Sequence, residues 1–225
     1  MSDLVNAYTD LATQSHGPAV SLVERAQLCN LFEHMGPEAP TLSGEWDCHH
    51  LAAHLVVREG TPLGFLKVIR PTVGNEEVEQ LVQTRSYPSL VEAVRSGPPK
   101  LTLFGVPQIE ALGNTVEFFI HHEDVRRAAD GWSARELPPW AEDQLWSRLR
   151  YLARGSMRTA PIGVQLERSD NGERARVAKR ANAVVVRGLP SELALYASGR
   201  SDVADVELHG RDIDIDVLGQ ARFGF

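Results

Sequence analysis

Between Asn114 and Ala128 the chain reads NTVEFFIHHEDVRRA, and no other stretch restricts the possible fold as much. Val116, Phe118, Phe119 and Ile120 make it apolar on nearly every side, with Glu117 in their midst. A carboxylate among phenylalanines is costly to bury unless it is paired or bound to a metal. His121 follows four residues later, so on a helix both side chains leave from one face. A carboxylate and an imidazole at that spacing, facing inward from a bundle helix, can supply two ligands to one divalent ion.

Apolar residues recur at helical spacing through much of the preceding chain. Val20, Val23, Leu28, Leu31 and Phe32 predict a helix from about 19 to 35, stopped by Gly36-Pro37. A second helix is predicted over 47–59, with Asp47 as its N-cap and Gly60 at its end. A short helix over 3–14, a loop over 60–73 and two short helices near 75–85 and 88–96 complete this part. The helix carrying Glu117 runs from about Pro107 to Asp130, and a further one from about Pro139 to Arg154. Four principal helices of these lengths suggest a bundle.

After Gly155 the period changes. Val164 and Leu166 alternate with polar residues, Ser-Asp-Asn-Gly at 169–172 signals a turn, and Arg174 to Lys179 can return as the hairpin partner. The basic residues between Arg174 and Arg180 alternate with apolar ones and read as a strand's solvated face. Ala183 to Arg187, Val203 to Leu208 and Ile213 to Val217 are further strand candidates, and Pro190 to Ser198 a short helix.

His54 is the natural third ligand. It stands beside leucines in HLAAHL, on the helix face that should point to the core. Alone it would read as a satisfied core histidine; with Glu117 and His121 it completes a set. Two histidines and one glutamate leave an open position, as catalytic zinc sites do. His50 is a rival, four residues from His54 but in the first helical turn. His122 is turned about 100° from His121, so it belongs with Glu123, Arg126 and Arg127 on a solvated or salt-bridged face. Asp124 is placed to orient His121 or to pair with an arginine. His16, His34 and His209 have no partner pattern and read as surface residues.

Other chemistries lack support. GxSxG, a phosphate-binding glycine loop and CxxC are all absent from the sequence. A net charge of −7 argues against a nucleic-acid surface, and the apolar runs fall short of a membrane span. Two cysteines, Cys29 and Cys48, without a larger framework suggest reduced thiols, and no secretory pattern opens the chain. A soluble, cytoplasmic protein is expected.

The segments GPEAPTLSGEW, HLAAHL and NTVEFFIHHEDVRRA together resemble the DinB-like, mycothiol-dependent maleylpyruvate isomerase superfamily. They are most similar to an actinobacterial branch of metal-binding proteins of undetermined function. The resemblance covers most of residues 19–155 and is carried by Trp46, by His54 in AHL, and by Glu117-x-x-x-His121 running into Asp124. It implies an α+β chain: an N-terminal DinB-like four-helix bundle over 1–156 and a small C-terminal α+β domain of sterol-carrier-like character over 157–225. GLPSELALYASGR at 188–200 is similar to the latter. It also implies a divalent metal, usually zinc, held by His54, Glu117 and His121. Two departures stand out. His50 occupies a position where relatives often carry an acidic residue, so the second-helix half of the site could differ. The isomerase's substrate-binding residues in its C-terminal domain have no counterpart placed here, so that specific isomerisation is not carried over.

These readings lead to a metal-dependent transferase or isomerase, using a low-molecular-weight thiol such as mycothiol and acting on a small-molecule thiol conjugate. The alternative is a non-catalytic protein binding a metal or small ligand, in which the metal staples the bundle.

Overall fold

Two compact units, residues 1–135 and 136–225, divide the chain. The computed structural model describes residues 8, 17–60, 75–98 and 107–223, with backbone alone over 107–112. The helix expected over 3–14 and the loop over 60–73 fall, apart from Tyr8 and Gly60, outside the described residues. Helices in the first unit and a four-stranded sheet with helices in the second give the chain the α+β class expected from sequence.

The first unit contains helices α1 (Val20–Met35), α2 (Cys48–Gly60), α3 (Asn75–Thr84), α4 (Tyr87–Ser96) and α5 (Pro107–Arg127). Each starts and stops where its residues dictate. Asp47 Oδ1 accepts the backbone N–H of His50 at 3.0 Å, capping α2. Gly36, at φ +83°, ends α1 with its N–H on the carbonyl of Phe32. Helix α1 packs on α5 and α4, and α2 packs on α3 and α4. Leu28, Phe32, Leu51, Leu55, Leu90, Val94, Phe118 and Val125 meet in one core. Each such side chain contributes about 1.5–3 kcal/mol by leaving water. Cys29 and Cys48 are free, buried thiols.

The link from α1 to α2 is tied to α5. Leu42 N–H donates to the carbonyl of Asp124 at 3.1 Å. Thr41 Oγ1 donates to the carbonyl of Trp46 at 2.6 Å, and Pro40 bridges Asp47. This loop therefore fixes the start of α2 against the last turn of α5, which sets where His54 stands.

The second unit holds α6 (Pro139–Ser156), β1 (Gly163–Arg168), β2 (Arg174–Ala178), β3 (Ala183–Gly188), α7 (Pro190–Ala197), β4 (Glu207–His209) and α8 (Asp212–Gly219). The strand order is β2-β1-β3-β4. β1 pairs antiparallel with β2 and parallel with β3, while β4 lies antiparallel to β3. Gly172, at φ +76°, closes the predicted turn. Val164, Leu166, Val184 and Val186 are buried on one sheet face, and Arg174 and Arg176 are exposed on the strand between turn and return.

The helix over 139–156 packs on α7 and β2 within the second unit, which begins at Glu136; the sequence division falls at 156/157. Two expectations are altered. The strand expected over Val203–Leu208 is only Glu207–His209, after a turn of 3-10 helix at Ser201–Val203. Ile213–Val217, read as a strand from its alternation, is part of helix α8. Five residues of IDIDV satisfy either period. In α8 burial returns after four residues, at Asp214 and Leu218, while Ile213 is exposed. Asp212 and Asp214 occupy the first turn, where acids complement the helix dipole, and Arg211 pairs with Asp214 at 2.6 Å. Among the described residues no helix is long and apolar enough to cross a membrane.

Candidate metal centre

His54, Glu117 and His121 meet between α2 and α5, with one donor atom from each within 4.8 Å of the others. Glu117 Oε1 lies 3.2 Å from His121 Nε2 and 3.6 Å from His54 Nε2. The two imidazole rings meet edge to face, 5.3 Å between centroids. Trp46 covers His54 at 5.1 Å.

The orientation of His121 is fixed from behind. Its Nδ1 is 2.9 Å from Asp124 Oδ2, which also accepts the Ser43 hydroxyl at 2.7 Å. Asp124 is fully buried. An ionised carboxylate can only accept, so Nδ1 carries a proton and Nε2 faces Glu117.

A cation stands behind Glu117 as well. Arg58, one turn after His54 on α2, places Nε 3.1 Å from Glu117 Oε1. Its other nitrogens donate to Asn114 Oδ1 and, at 2.8 Å, to the Gly113 carbonyl. Asn114 donates to Glu59 at 2.6 Å, and Glu59 accepts a two-pronged pair from Arg25 at 2.5 and 2.7 Å. Arg25 in turn lies 4.1 Å over the Phe118 ring.

These surroundings set the charge states. Burial alone would raise the Glu117 pKa, but Arg58 and the two histidines overcome it and hold the carboxyl well below its usual range. Burial lowers the His54 pKa, with Glu117 opposing. Burial also acts to lower His121, but Asp124 and Glu117 prevail and raise it.

The remaining histidines are elsewhere. His50 turns its Nδ1 to Asp47 at 2.6 Å and its Nε2 toward Glu79 at 3.5 Å, outside the cluster. His122 is buried and meets Glu24 at 2.6 Å. Glu24 also accepts Tyr8 and Arg135, and Glu123 accepts Arg126, Arg127 and Arg135. This face of α5 is salt-bridged as expected, but most of it is buried: His122, Glu123 and Arg127 are all inside, because α1 and Arg135 cover them. His34 and His209 are exposed; His16 lies outside the described residues.

No family model and no curated protein matches the chain. Among solved structures it is similar to the crystal structure of the mycothiol-dependent maleylpyruvate isomerase, with a TM-score of 0.56 and 19% identity over 84% of this chain and 90% of that one. A histidine-to-alanine mutant of that isomerase matches at TM-score 0.55 and 18% identity, with the same coverage. The chain has the fold of this isomerase.

On that isomerase fold, two neighbours of the centre escaped the sequence reading. Arg58 was detectable: His50, His54 and Arg58 repeat at four residues, so Arg58 had to share the face of His54. Ser43 gave no such signal, since only the folded loop brings it to Asp124.

Proposed function

We propose that this chain binds a divalent metal, zinc by preference, through His54, Glu117 and His121. We propose further that it works as a thiol-dependent transferase or isomerase, with a small thiol such as mycothiol as cosubstrate. The observation that carries the metal reading is the approach of Glu117 Oε1 to His121 Nε2 at 3.2 Å. With Nδ1 committed to Asp124, a neutral His121 directs a lone pair at a carboxylate oxygen. Two such atoms hold together only around a positive species, a proton or a metal ion. Asp124 and Glu117 raise the His121 pKa, in keeping with that role.

The donors fit the group. Glu117 is ionised at neutral pH, and burial keeps His54 neutral, so two of the three donors need not lose a proton to bind. Asp124 and Ser43 fix the His121 ring; Trp46 packs on His54. Three protein donors are one fewer than a tetrahedral ion takes. When bound, the metal supplies a Lewis acid that lowers the pKa of a thiol. The thiol is favoured over water by the fold shared with an isomerase described as mycothiol-dependent.

Elemental analysis of the purified protein should find one zinc per chain, lost in the His54→Ala variant. Calorimetric titration with mycothiol should then show saturable binding that disappears after chelation. No heat at millimolar thiol would remove the thiol reading and leave the metal one. Chelation also separates a catalytic from a stapling metal. The core around Leu28, Phe32, Leu51 and Leu55 is built of apolar side chains, so the chelated protein should keep its helical circular dichroism. Collapse on chelation would instead support the non-catalytic alternative.

A further inference from the structure

Arg58 does more than neutralise a carboxylate, and this inference rests on the metal reading above. Its side chain is 4% exposed, and its nitrogens are engaged by Glu117, Asn114 and the Gly113 carbonyl. Held on three sides, it cannot swing out to grip a substrate. It acts through its charge and through the carboxylate it steadies. We propose that Arg58 is a positioning residue that sets the charge of the outside ligand, so that the open position takes a single monoanion such as a thiolate.

The charges around the centre can be followed element by element. Helix α5 brings Glu117 and Asp124, two negative charges, and His121 as a neutral donor. Helix α2 brings neutral His54 and the positive Arg58. Behind Arg58, Glu59 and Arg25 form a close pair and cancel. Over these described groups, a divalent cation leaves a sum of one positive charge, and one monoanion brings that sum to zero. Without Arg58 the same sum is already zero, and the anion would make it negative. In a poorly solvated site that difference is large, because the effective dielectric is well below that of water. A thiol R–SH binding there releases its proton to solvent as the sulfur takes the position as thiolate, so the Arg58 charge favours this release. A neutral ligand gains little from it.

The test uses cobalt(II) in place of the native ion, with 2-mercaptoethanol and imidazole as an anionic and a neutral probe. Cobalt reports both through its visible bands, and thiolate adds a charge-transfer band in the near ultraviolet. In Arg58→Gln, 2-mercaptoethanol should bind about tenfold more weakly at fixed pH, with its pH midpoint moved up by about one unit, while imidazole stays within about twofold. Arg58→Lys keeps the charge and should stay near wild type for both. Unchanged thiolate binding in Arg58→Gln overturns the proposal. So does an equal loss for both probes, which would mean damaged geometry rather than altered charge. Failure of Arg58→Gln to take up cobalt, with Arg58→Lys likewise empty, assigns Arg58 to site assembly and also overturns it. If the wild-type protein itself takes up no cobalt, the metal reading falls, and that result is distinct from the others.

Discussion

Glu142 offers the sharpest test of how burial and helix capping compete in this fold. It lies in the first turn of α6, almost wholly buried. Its two oxygens accept the backbone N–H of Ser191 at 2.9 Å and the Ser191 hydroxyl at 2.8 Å. Ser191 follows Pro190 at the start of α7, so Glu142 caps that helix from a different one. The cap favours the carboxylate, whereas burial favours the neutral acid. Burial prevails, pushing the pKa from 4.5 up to about 7. Between these values the folded chain holds a proton that the unfolded chain has lost. Stability from this group is therefore complete below about pH 4.5 and lost as pH rises through about 7. The shift corresponds to about 3 kcal/mol, to order of magnitude. Glu142→Gln imitates the neutral form at every pH. Urea unfolding of both proteins from pH 4.5 to 8, followed by the fluorescence of Trp140 and Trp146 on the same helix, isolates the effect. The stability of wild type relative to the variant should fall by about 3 kcal/mol across the range. A flat difference would refute the burial argument. A difference that grows with pH would show that the cap, not burial, governs Glu142.

Three further outcomes are expected. Asp124→Asn keeps the shape behind His121 but removes its charge, so metal affinity should fall about 10–100-fold in a chelator competition, with circular dichroism unchanged. Glu59→Ala leaves Arg25 charged in the interior and should destabilise the first unit by about 3–5 kcal/mol in chemical denaturation, whereas Glu59→Gln should cost less. Gly163→Ala would bring a methyl group within 2.6 Å of the Asn182 carbonyl, a backbone atom that cannot turn aside, and should lower stability by about 1–3 kcal/mol in thermal unfolding.

What could be read from sequence tracks with what is decided locally. Helices α1, α2 and α5 follow from apolar spacing and from Asp47, Gly36 and Pro107 at their ends. Glu117 and His121 share a face because four residues make about one turn, and His122 leaves that face for the same reason. What could not be read depends on partners distant in the chain. Ser43 reaches Asp124 across 81 positions, and α6 takes its place from α7 and β2, neither of which its own sequence names. Ile213–Val217 failed differently: its pattern fits strand and helix alike, and the acids of the first turn decided.

The two faces of α5 differ in a way that bears on the proposed centre. Both bury carboxylates. On the His122 side, Glu24 and Glu123 face Arg126, Arg127 and Arg135, so positive groups outnumber negative ones. There burial and Arg135 lower the His122 pKa, with Glu24 opposing. On the His121 side, Arg58 lies 3.1 Å from Glu117, and His121 itself lies 2.9 Å from Asp124. Burial opposes protonation of His121 too, yet its pKa is raised. Adjacent residues of one helix, both deeply buried, thus shift in opposite directions, because His122 faces Arg135 while His121 lies between two carboxylates. The carboxylates that raise the His121 pKa are the ones a divalent ion would meet there. Supplying a cation to that face by mutation should therefore compete with the metal, whereas one added to the His122 face should not. Ser43→Lys, with its ammonium beside Asp124, is the direct trial. Metal affinity in the chelator competition should drop by about tenfold or more. Affinity equal to wild type would show that the negative charge of Glu117 and Asp124 is not what the ion answers.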